Sequence, residues 1–157
     1  MSILAALFAA VAVWFAGPQS LPPTAEAVAI VVARPTVEAV VSISEQRMYL
    51  TVIDRMGFRK TIIWKVSTGK AGFETPTGAW KPTWLSVDHK SATYENAPTP
   101  FAVFFTGGYA VHATEFVGRL GQPASHGCVR LAPENAATFF GLVESYGMRN
   151  TKIVITV

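Results

Sequence analysis

The sequence is poor in two things that define whole classes of proteins, cysteine and charge. It holds one cysteine, Cys128, in 157 residues, so no internal disulfide can stabilise the fold. Charged residues make up 15% of the chain, and its net charge is only +3. Because no run of lysine or arginine forms a basic patch, we predict no nucleic-acid partner. No internal repeat is evident, and the length suits one domain with a hydrophobic core.

An unbroken apolar stretch near the N-terminus is too short for a membrane span. It runs from Ile3 to Ala16, whereas a spanning helix needs about 20 residues. Small residues follow around Ala25 and Ala27, as at a signal-peptide cleavage site, although no lysine or arginine precedes the stretch. We predict a signal peptide or N-terminal anchor over residues 1–27 and export to the periplasm or cell wall. Membrane contact is expected only through this segment, if it stays uncleaved.

Prolines separate the apolar stretch from the rest of the chain. Pro18, Pro22, Pro23 and Pro35 fall within eighteen residues, and proline disfavours helix and central strand alike. We therefore predict a linker over residues 28–35 and a single folded domain over residues 36–157.

Short runs of β-branched and aromatic residues between turn signals predict a mainly β domain. The predicted strands cover residues 37–43, 47–53, 58–66, 78–84, 101–106, 109–113 and 152–157. One helix is predicted between Pro133, which suits a first helical turn, and Gly147, which suits a helix stop. We expect a β-sandwich or partly closed barrel that carries this one principal α-helix near its C-terminus.

The only cysteine and two of the three histidines lie between Tyr109 and Leu131. A nucleophilic cysteine acts as its thiolate and needs a nearby base or positive charge. His126 lies two residues before Cys128, on the same side of an extended chain. His112 lies sixteen residues before it and reaches the sulfur only if the intervening loop folds back. Gly127 permits a tight turn whose backbone N–H groups can face a developing oxyanion.

Two other interpretations of this segment compete with acyl transfer. One cysteine and two histidines also make three ligands for a catalytic zinc ion with an open position. However, the sequence has no second cysteine and no typical zinc-ligand spacing, so we predict no metal. A purely structural role is the remaining alternative, and three reactive side chains beside glycines argue against it.

The segment Ser125-His126-Gly127-Cys128-Val129-Arg130, preceded by His112, resembles the signature of the YkuD-type L,D-transpeptidases. Residues 67–70 and 75–78 resemble two further stretches of that family, in the same order and at similar spacing. The resemblance covers roughly residues 36–157 and implies the YkuD fold.

The resemblance also implies roles for the catalytic residues. Cys128 is expected to be the nucleophile and His112 the proton acceptor and donor. His126 is expected to line the site, and Gly127 and Cys128 to supply backbone donors to the oxyanion. Ala113 stands where relatives often carry serine or glycine, and its backbone carbonyl is expected to orient the His112 ring.

Two more side chains are assigned to substrate binding or its surroundings. Arg130 lies two residues after Cys128, and its guanidinium suits either a stem-peptide carboxylate or a salt bridge to an internal acid. Ser125 fits a turn hydroxyl better than a second nucleophile. His89 is expected to be an exposed loop residue, and Glu115 to point away from His112.

The implied reaction is acyl transfer on peptidoglycan stem peptides without a cofactor. Cys128 attacks the carbonyl of meso-diaminopimelate in a tetrapeptide stem, expels the terminal D-Ala, and passes the acyl group to an amine. The acceptor is a second stem or an envelope protein; with water as acceptor the enzyme is an L,D-carboxypeptidase. An alternative of another class is a non-catalytic cell-wall-binding module.

Overall fold

The computed structural model describes residues 34–94 and 96–157. The predicted signal peptide or anchor, and all but the last residues of the predicted linker, lie outside the described residues. In the described part of the chain, no helix has both the length and the apolar character needed to cross a membrane.

Five strands form the first sheet, in the spatial order β3-β2-β1-β11-β4. They are β1 (Thr36–Ser42), β2 (Arg47–Ile53), β3 (Arg59–Lys65), β4 (Gly78–Trp80) and β11 (Thr151–Thr156). The pair β1 and β11 is parallel, so the two ends of the domain meet in the middle of this sheet, and the other pairs are antiparallel. Alternate residues of β1 and β11 are buried, as in a sheet with one face on the core.

Four strands form the second sheet, in the order β10-β9-β8-β5. They are β5 (Trp84–Ser86), β8 (Ala102–Thr106), β9 (Tyr109–Ala113) and β10 (Val129–Leu131). Two short strands, β6 (Lys90–Ser91) and β7 (Ala97–Pro98), pair separately and build a hairpin that we call the 87–99 hairpin.

One cluster of buried apolar side chains joins both sheets and the helix. Helix α1 (Pro133–Tyr146) buries Ala136, Phe139, Phe140 and Val143 along one face. The rings of Trp80 on β4 and Phe105 on β8 lie 5.3 Å apart and connect the sheets directly. The domain is therefore a two-layer β structure whose core lies between the sheets, with α1 packed on the second.

The two sheets are also tied together by backbone hydrogen bonds beyond the end of β3. Ser67 and Arg130 exchange N–H···O bonds of 3.1 and 2.9 Å. Gly69 pairs with Ser125 in the same region, and Lys70 N–H donates to Ser125 O at 3.0 Å. We call these contacts the seam; they close one edge of the sandwich, beside Cys128.

The expected fold class is confirmed, and so are most of the element positions. Strands β2 and β9 have the predicted bounds, and α1 begins at Pro133 and ends before Gly147 as expected. The predicted strand over residues 78–84 is wrong, because the chain leaves the first sheet after Trp80 and enters the second at Trp84. Pro82 lies in this crossing, where its missing N–H costs no ladder bond. Strands β6, β7 and β10 were not predicted.

Candidate active site

A cavity of about 430 Å³ lies between strand β9, the turn before β10 and the 87–99 hairpin. We call it the main cavity. Its lining includes five of the predicted site residues: His112, Ser125, His126, Cys128 and Arg130. Tyr94 and Phe116 line it as well.

The parallel pairing of β9 with β10 brings the predicted nucleophile and base together. Arg130 is opposite His112 in the register, and Val129 is opposite Val111. Cys128 precedes β10 by one residue and therefore lies near Ala110. Since alternate residues of a strand share a face, Cys128, His112 and Arg130 project on the same side. The loop between the two strands thus folds back in the way that a His112–Cys128 pair requires.

The His112 ring is buried and fixed in one tautomer. Its Nδ1 lies 2.6 Å from the carbonyl oxygen of Ala113. A carbonyl can only accept, so Nδ1 carries the proton and Nε2 is left as an acceptor. The pKa of His112 is lowered to about 4, mainly by burial. The hydrogen bond to Ala113 acts to raise this pKa, and the positive charge of Arg130 acts to lower it. His112 is therefore a neutral imidazole at neutral pH.

The Cys128 thiol is largely protonated at neutral pH. Burial raises its pKa, while a hydrogen bond to the backbone of Ala110 and the charge of Arg130 act in the opposite direction. Burial thus favours a neutral thiol beside a neutral imidazole over a thiolate–imidazolium pair. Nucleophilic attack by this sulfur requires that its proton leave in the same step or just before.

The turn that presents Cys128 is held by the Ser125 hydroxyl. Ser125 Oγ donates to Cys128 O at 2.6 Å and accepts from Gly127 N–H at 3.0 Å. Ser125 is almost fully buried, so it acts as the expected turn hydroxyl. Because the Gly127 N–H already has this partner, the prediction that it faces an oxyanion is not met in this conformation.

Two features favour glycine at position 127: its backbone conformation and the Tyr109 ring that packs against it. Its φ of +110° is one that side chains with a Cβ rarely adopt. A Cβ added there would lie 2.3 Å from Cε1 of Tyr109. The Tyr109 ring therefore packs directly on the backbone of the turn, one residue before Cys128.

The His126 ring is held between two aromatic side chains. Tyr94, from the 87–99 hairpin, stacks on it with centroids 4.8 Å apart. Phe73 meets it edge-on at 4.5 Å. Burial and the positive charges of Lys70 and Arg130 lower the pKa of His126. His126 thus joins the hairpin to the loop after Ser67.

Ala113 contributes its backbone and not its side chain. Its carbonyl orients His112, as expected, and its N–H donates to Pro100 O at 2.9 Å. Ala113 itself is buried and does not line the main cavity. Any effect of Ala113 on substrate binding is therefore indirect, through the orientation of the His112 ring.

Several residues around the site were missed or misplaced by sequence reasoning. Glu115 lines the main cavity, because the chain turns after Thr114 and does not continue as a strand, while its orientation away from His112 stays a prediction. His89 is not a free loop residue, since its ring packs against Trp84 and Phe104 with centroids 5.4 and 4.9 Å away. No pattern in the sequence indicates a role for Gln46 near the site.

Gln46 positions the segment that carries the seam. It is buried with a φ of +53°, and its Oε1 accepts from Thr68 N–H at 2.9 Å. Its Nε2 donates to Thr68 Oγ1 and, at 2.7 Å, to Ile43 O. No local pattern reveals this role, because Thr68 lies 22 residues further along the chain.

The described residues hold no group of three or more histidine, cysteine, aspartate or glutamate side chains suited to a metal ion. The Cys128–His112–His126 set, considered above as zinc ligands, is thus not assembled as such a group in this part of the chain.

A family model matches most of the domain. The model of the YkuD L,D-transpeptidase catalytic domain matches residues 36–155. No curated protein matches significantly.

Solved structures of similar fold cover the same part of the chain. An L,D-transpeptidase from Mycobacterium smegmatis is 26% identical with a TM-score of 0.65, over 78% of this chain and 59% of that one. One from Mycobacterium tuberculosis is 20% identical with a TM-score of 0.67, over 78% and 58%. A further structure, an LD transpeptidase in complex with imipenem, is 23% identical with a TM-score of 0.66, over 78% and 59%. The chain thus spans about three fifths of the length of these structures.

Proposed function

The chain belongs to the YkuD family of L,D-transpeptidase catalytic domains, and we propose that it is a cysteine acyltransferase acting on peptidoglycan stem peptides. The observation that carries this proposal is the common cavity of Cys128 and His112, whose ring is locked with Nε2 unprotonated. The reaction has two acyl-transfer steps and uses no cofactor.

In the first step a tetrapeptide stem acylates the sulfur. The Cys128 thiol gives its proton to His112 Nε2 as the sulfur bonds to the carbonyl carbon of meso-diaminopimelate. The tetrahedral intermediate then breaks its C–N bond, and His112 returns the proton to the leaving amine of D-Ala. The products are a thioester on Cys128 and free D-Ala.

The second step passes the acyl group to an amine. The acceptor amine gives a proton to His112 as its nitrogen bonds to the thioester carbon. The C–S bond breaks, and His112 returns the proton to the sulfur. The energy of the original peptide bond is kept in the thioester, so no nucleotide is consumed.

The buried, neutral pair suits this exchange. Both groups begin uncharged, so no buried charge has to be maintained before substrate arrives. Arg130, on the same face, stabilises negative charge on the sulfur as it develops. The Cys128 N–H, one residue after the occupied Gly127 N–H, is the backbone donor that we assign to the oxyanion.

We further propose that the enzyme works outside the cytoplasm. Family membership implies a cell-wall substrate, and the apolar stretch Ile3–Ala16 has the length of a signal-peptide core. An envelope protein is a second candidate for the acceptor amine.

Mass spectrometry of the intact chain tests the proposal. We would incubate the purified full chain and a Cys128→Ala variant with a disaccharide-tetrapeptide, and measure D-Ala release and protein mass. The proposal expects D-Ala release and an adduct on the parent protein, and neither on the variant. Full activity of Cys128→Ala would disprove it. Folded parent protein that gives neither D-Ala nor adduct would favour the binding-module alternative.

The products identify the acceptor. A cross-linked dimer indicates a second stem, a tripeptide indicates water, and a conjugate with an added envelope protein indicates anchoring. Imipenem offers an independent probe, since a related structure holds it. We expect an imipenem adduct on the parent chain that is absent from Cys128→Ala.

A further inference from the structure

A second cavity, of about 310 Å³, lies beside the main cavity, and half of its lining residues are basic. We call it the basic cavity. Its lining consists of Lys70, Phe116, Arg119, Pro123, Ala124 and Arg130, with no acidic residue among them. A concave site with three positive charges and no negative one favours an anionic ligand.

The two cavities share two residues. Arg130 and Phe116 line both, so the basic cavity adjoins the space that contains Cys128 and His112. A ligand group held in the basic cavity can therefore belong to a molecule whose other end reacts at the sulfur. The charges of Lys70 and Arg130 also reach His126, whose pKa they lower in addition to the effect of burial.

None of the three cations has an internal ion partner within the described residues. The salt bridge recorded there joins Lys152 to Glu38, on the first sheet and away from this site. Arg130 Nη1 donates only a long hydrogen bond, 3.3 Å, to Ala124 O. The internal salt bridge that the sequence left open for Arg130 is therefore absent from the described part of the chain.

The backbone of the basic cavity is fixed without its side chains. Lys70 is tied by its N–H to Ser125 O, and Arg130 is tied to Ser67 through the seam. Arg119 closes a short 3₁₀ turn whose bonds are also made by the backbone. Backbone bonds thus hold these loops, and the side chains add only the hydrogen bond of Arg130 to Ala124 O and the contact of Lys70 Nζ with the Phe73 ring, 5.2 Å from its centroid.

Resting on the proposed function, we propose that the basic cavity binds the carboxylate one carbon away from the reacting nitrogen. The leaving D-Ala carries such a carboxylate. A diaminopimelate acceptor amine also carries one, because that amine sits on an α-amino acid centre. The entering nitrogen takes the place of the leaving one, so a single site serves both steps.

The smallest acceptor that tests this idea is D-alanine itself. Its transfer is the reverse of the first step: the amine attacks the thioester, the C–N bond forms, the C–S bond breaks, and the amine proton goes to the sulfur. With isotopically labelled D-alanine the product is a heavy tetrapeptide. D-alaninamide lacks the carboxylate but undergoes the same reaction.

The experiment compares these two acceptors on four forms of the full chain. They are the parent, Lys70→Gln, Arg119→Gln and the double variant, with Arg59→Gln on the exposed edge strand β3 as a matched control. Thermal melting checks the fold. Release of unlabelled D-Ala measures the first step, which the double variant should slow through a higher KM for the tetrapeptide, because the same cavity holds its terminal carboxylate. Acceptor KM and kcat are measured separately by mass spectrometry.

We expect the parent to use D-alanine roughly tenfold better than D-alaninamide in kcat/KM, as hydrogen bonds to a charged group allow. The amine of D-alaninamide has the larger unprotonated, reactive fraction at a given pH. A preference for D-alanine therefore runs against amine reactivity and points to recognition of the carboxylate. At saturating tetrapeptide, the double variant should lose the preference through a higher KM for D-alanine, with its kcat and its use of the amide nearly unchanged. Arg59→Gln should behave as the parent.

The outcomes separate this inference from the proposed function. A parent chain that never forms the thioester would overturn the proposed function. Thioester formation with a carboxylate preference that survives in the double variant would overturn the basic cavity alone. So would a parent that shows no preference between the two acceptors.

Discussion

The Nδ1 proton of His112 is donated to the carbonyl oxygen of Ala113, the next residue, at 2.6 Å. This bond fixes the ring through the backbone of its own strand, so the identity of the Ala113 side chain has no part in it. It also leaves Nε2 without a proton. Together with burial, it defines a base that stays neutral over most of the pH range.

The acylation rate should fall on the acid side near pH 4 and not near pH 6.5. Protonated His112 cannot accept the thiol proton, and its pKa is about 4. We would measure single-turnover D-Ala release between pH 4 and 8 with saturating tetrapeptide, so that donor binding does not contribute. A half-maximal rate near pH 6.5 would contradict the buried, neutral base.

The same group makes stability depend on pH. The pKa of His112 is about 4 in the folded protein against 6.5 for the free side chain, so between these values the unfolded chain binds more protons. Stability from this group is therefore complete above about pH 6.5 and decreases as pH falls towards 4. The full loss is about 3 kcal/mol.

A His112→Gln variant isolates this contribution. Urea unfolding of both proteins at several pH values should give free energies whose difference changes by about 3 kcal/mol between pH 7 and pH 4. Parallel curves for the two proteins would show that His112 does not titrate in the way its burial requires.

Substituting Gly127 by alanine should damage the turn before Cys128. The new Cβ would lie 2.3 Å from the Tyr109 ring, and the alanine would have to adopt a φ of +110°. We expect a stability loss of at least about 2 kcal/mol and a larger relative loss of acylation. In a Tyr109→Leu background the cost of the same substitution should be smaller, since the clashing ring is gone. Equal costs in both backgrounds would exclude the Tyr109 contact as a cause.

Removing the Tyr94 ring should loosen the 87–99 hairpin over the site. Tyr94→Ala loses the stack on His126 and is expected to raise the tetrapeptide KM by about three- to tenfold. Tyr94→Phe keeps the ring and should stay within about twofold of the parent. If the phenylalanine variant is as impaired as the alanine variant, the hydroxyl and not the stack is responsible.

The fold could be predicted largely from local signals. Strands β2 and β9 and helix α1 have strong periodicity and clear turn or cap residues, and they lie where expected. Strand β10 has only three residues and gains its partners from Val111 and Ser67, far away in the sequence. The strand ends after Trp80 because the segments before and after the break join different sheets. This depends on tertiary contacts, which the local residue pattern does not predict.

The residues of the candidate site also fall into those that local sequence predicts and those that only the fold brings together. Cys128, His112 and His126 could be found because their residue types and spacing are rare and chemically suggestive. Lys70 and Arg119 could not, since isolated basic residues usually lie on solvated surfaces, and only the folded loops bring them to Arg130. Gln46 shows the same limit, because its hydrogen bonds to Thr68 depend on the packing of a distant segment.

The seam pairs Ser67 with Arg130, two residues that lie far apart in the sequence. Contacts between such distant segments carry a large loop-closure entropy and form late in folding. Arg130 is also only two residues from Cys128. A chain that has formed its local hairpins but neither this contact nor the pairing of β10 with β9 would leave Cys128 away from His112, so the candidate site is complete only when the second sheet is.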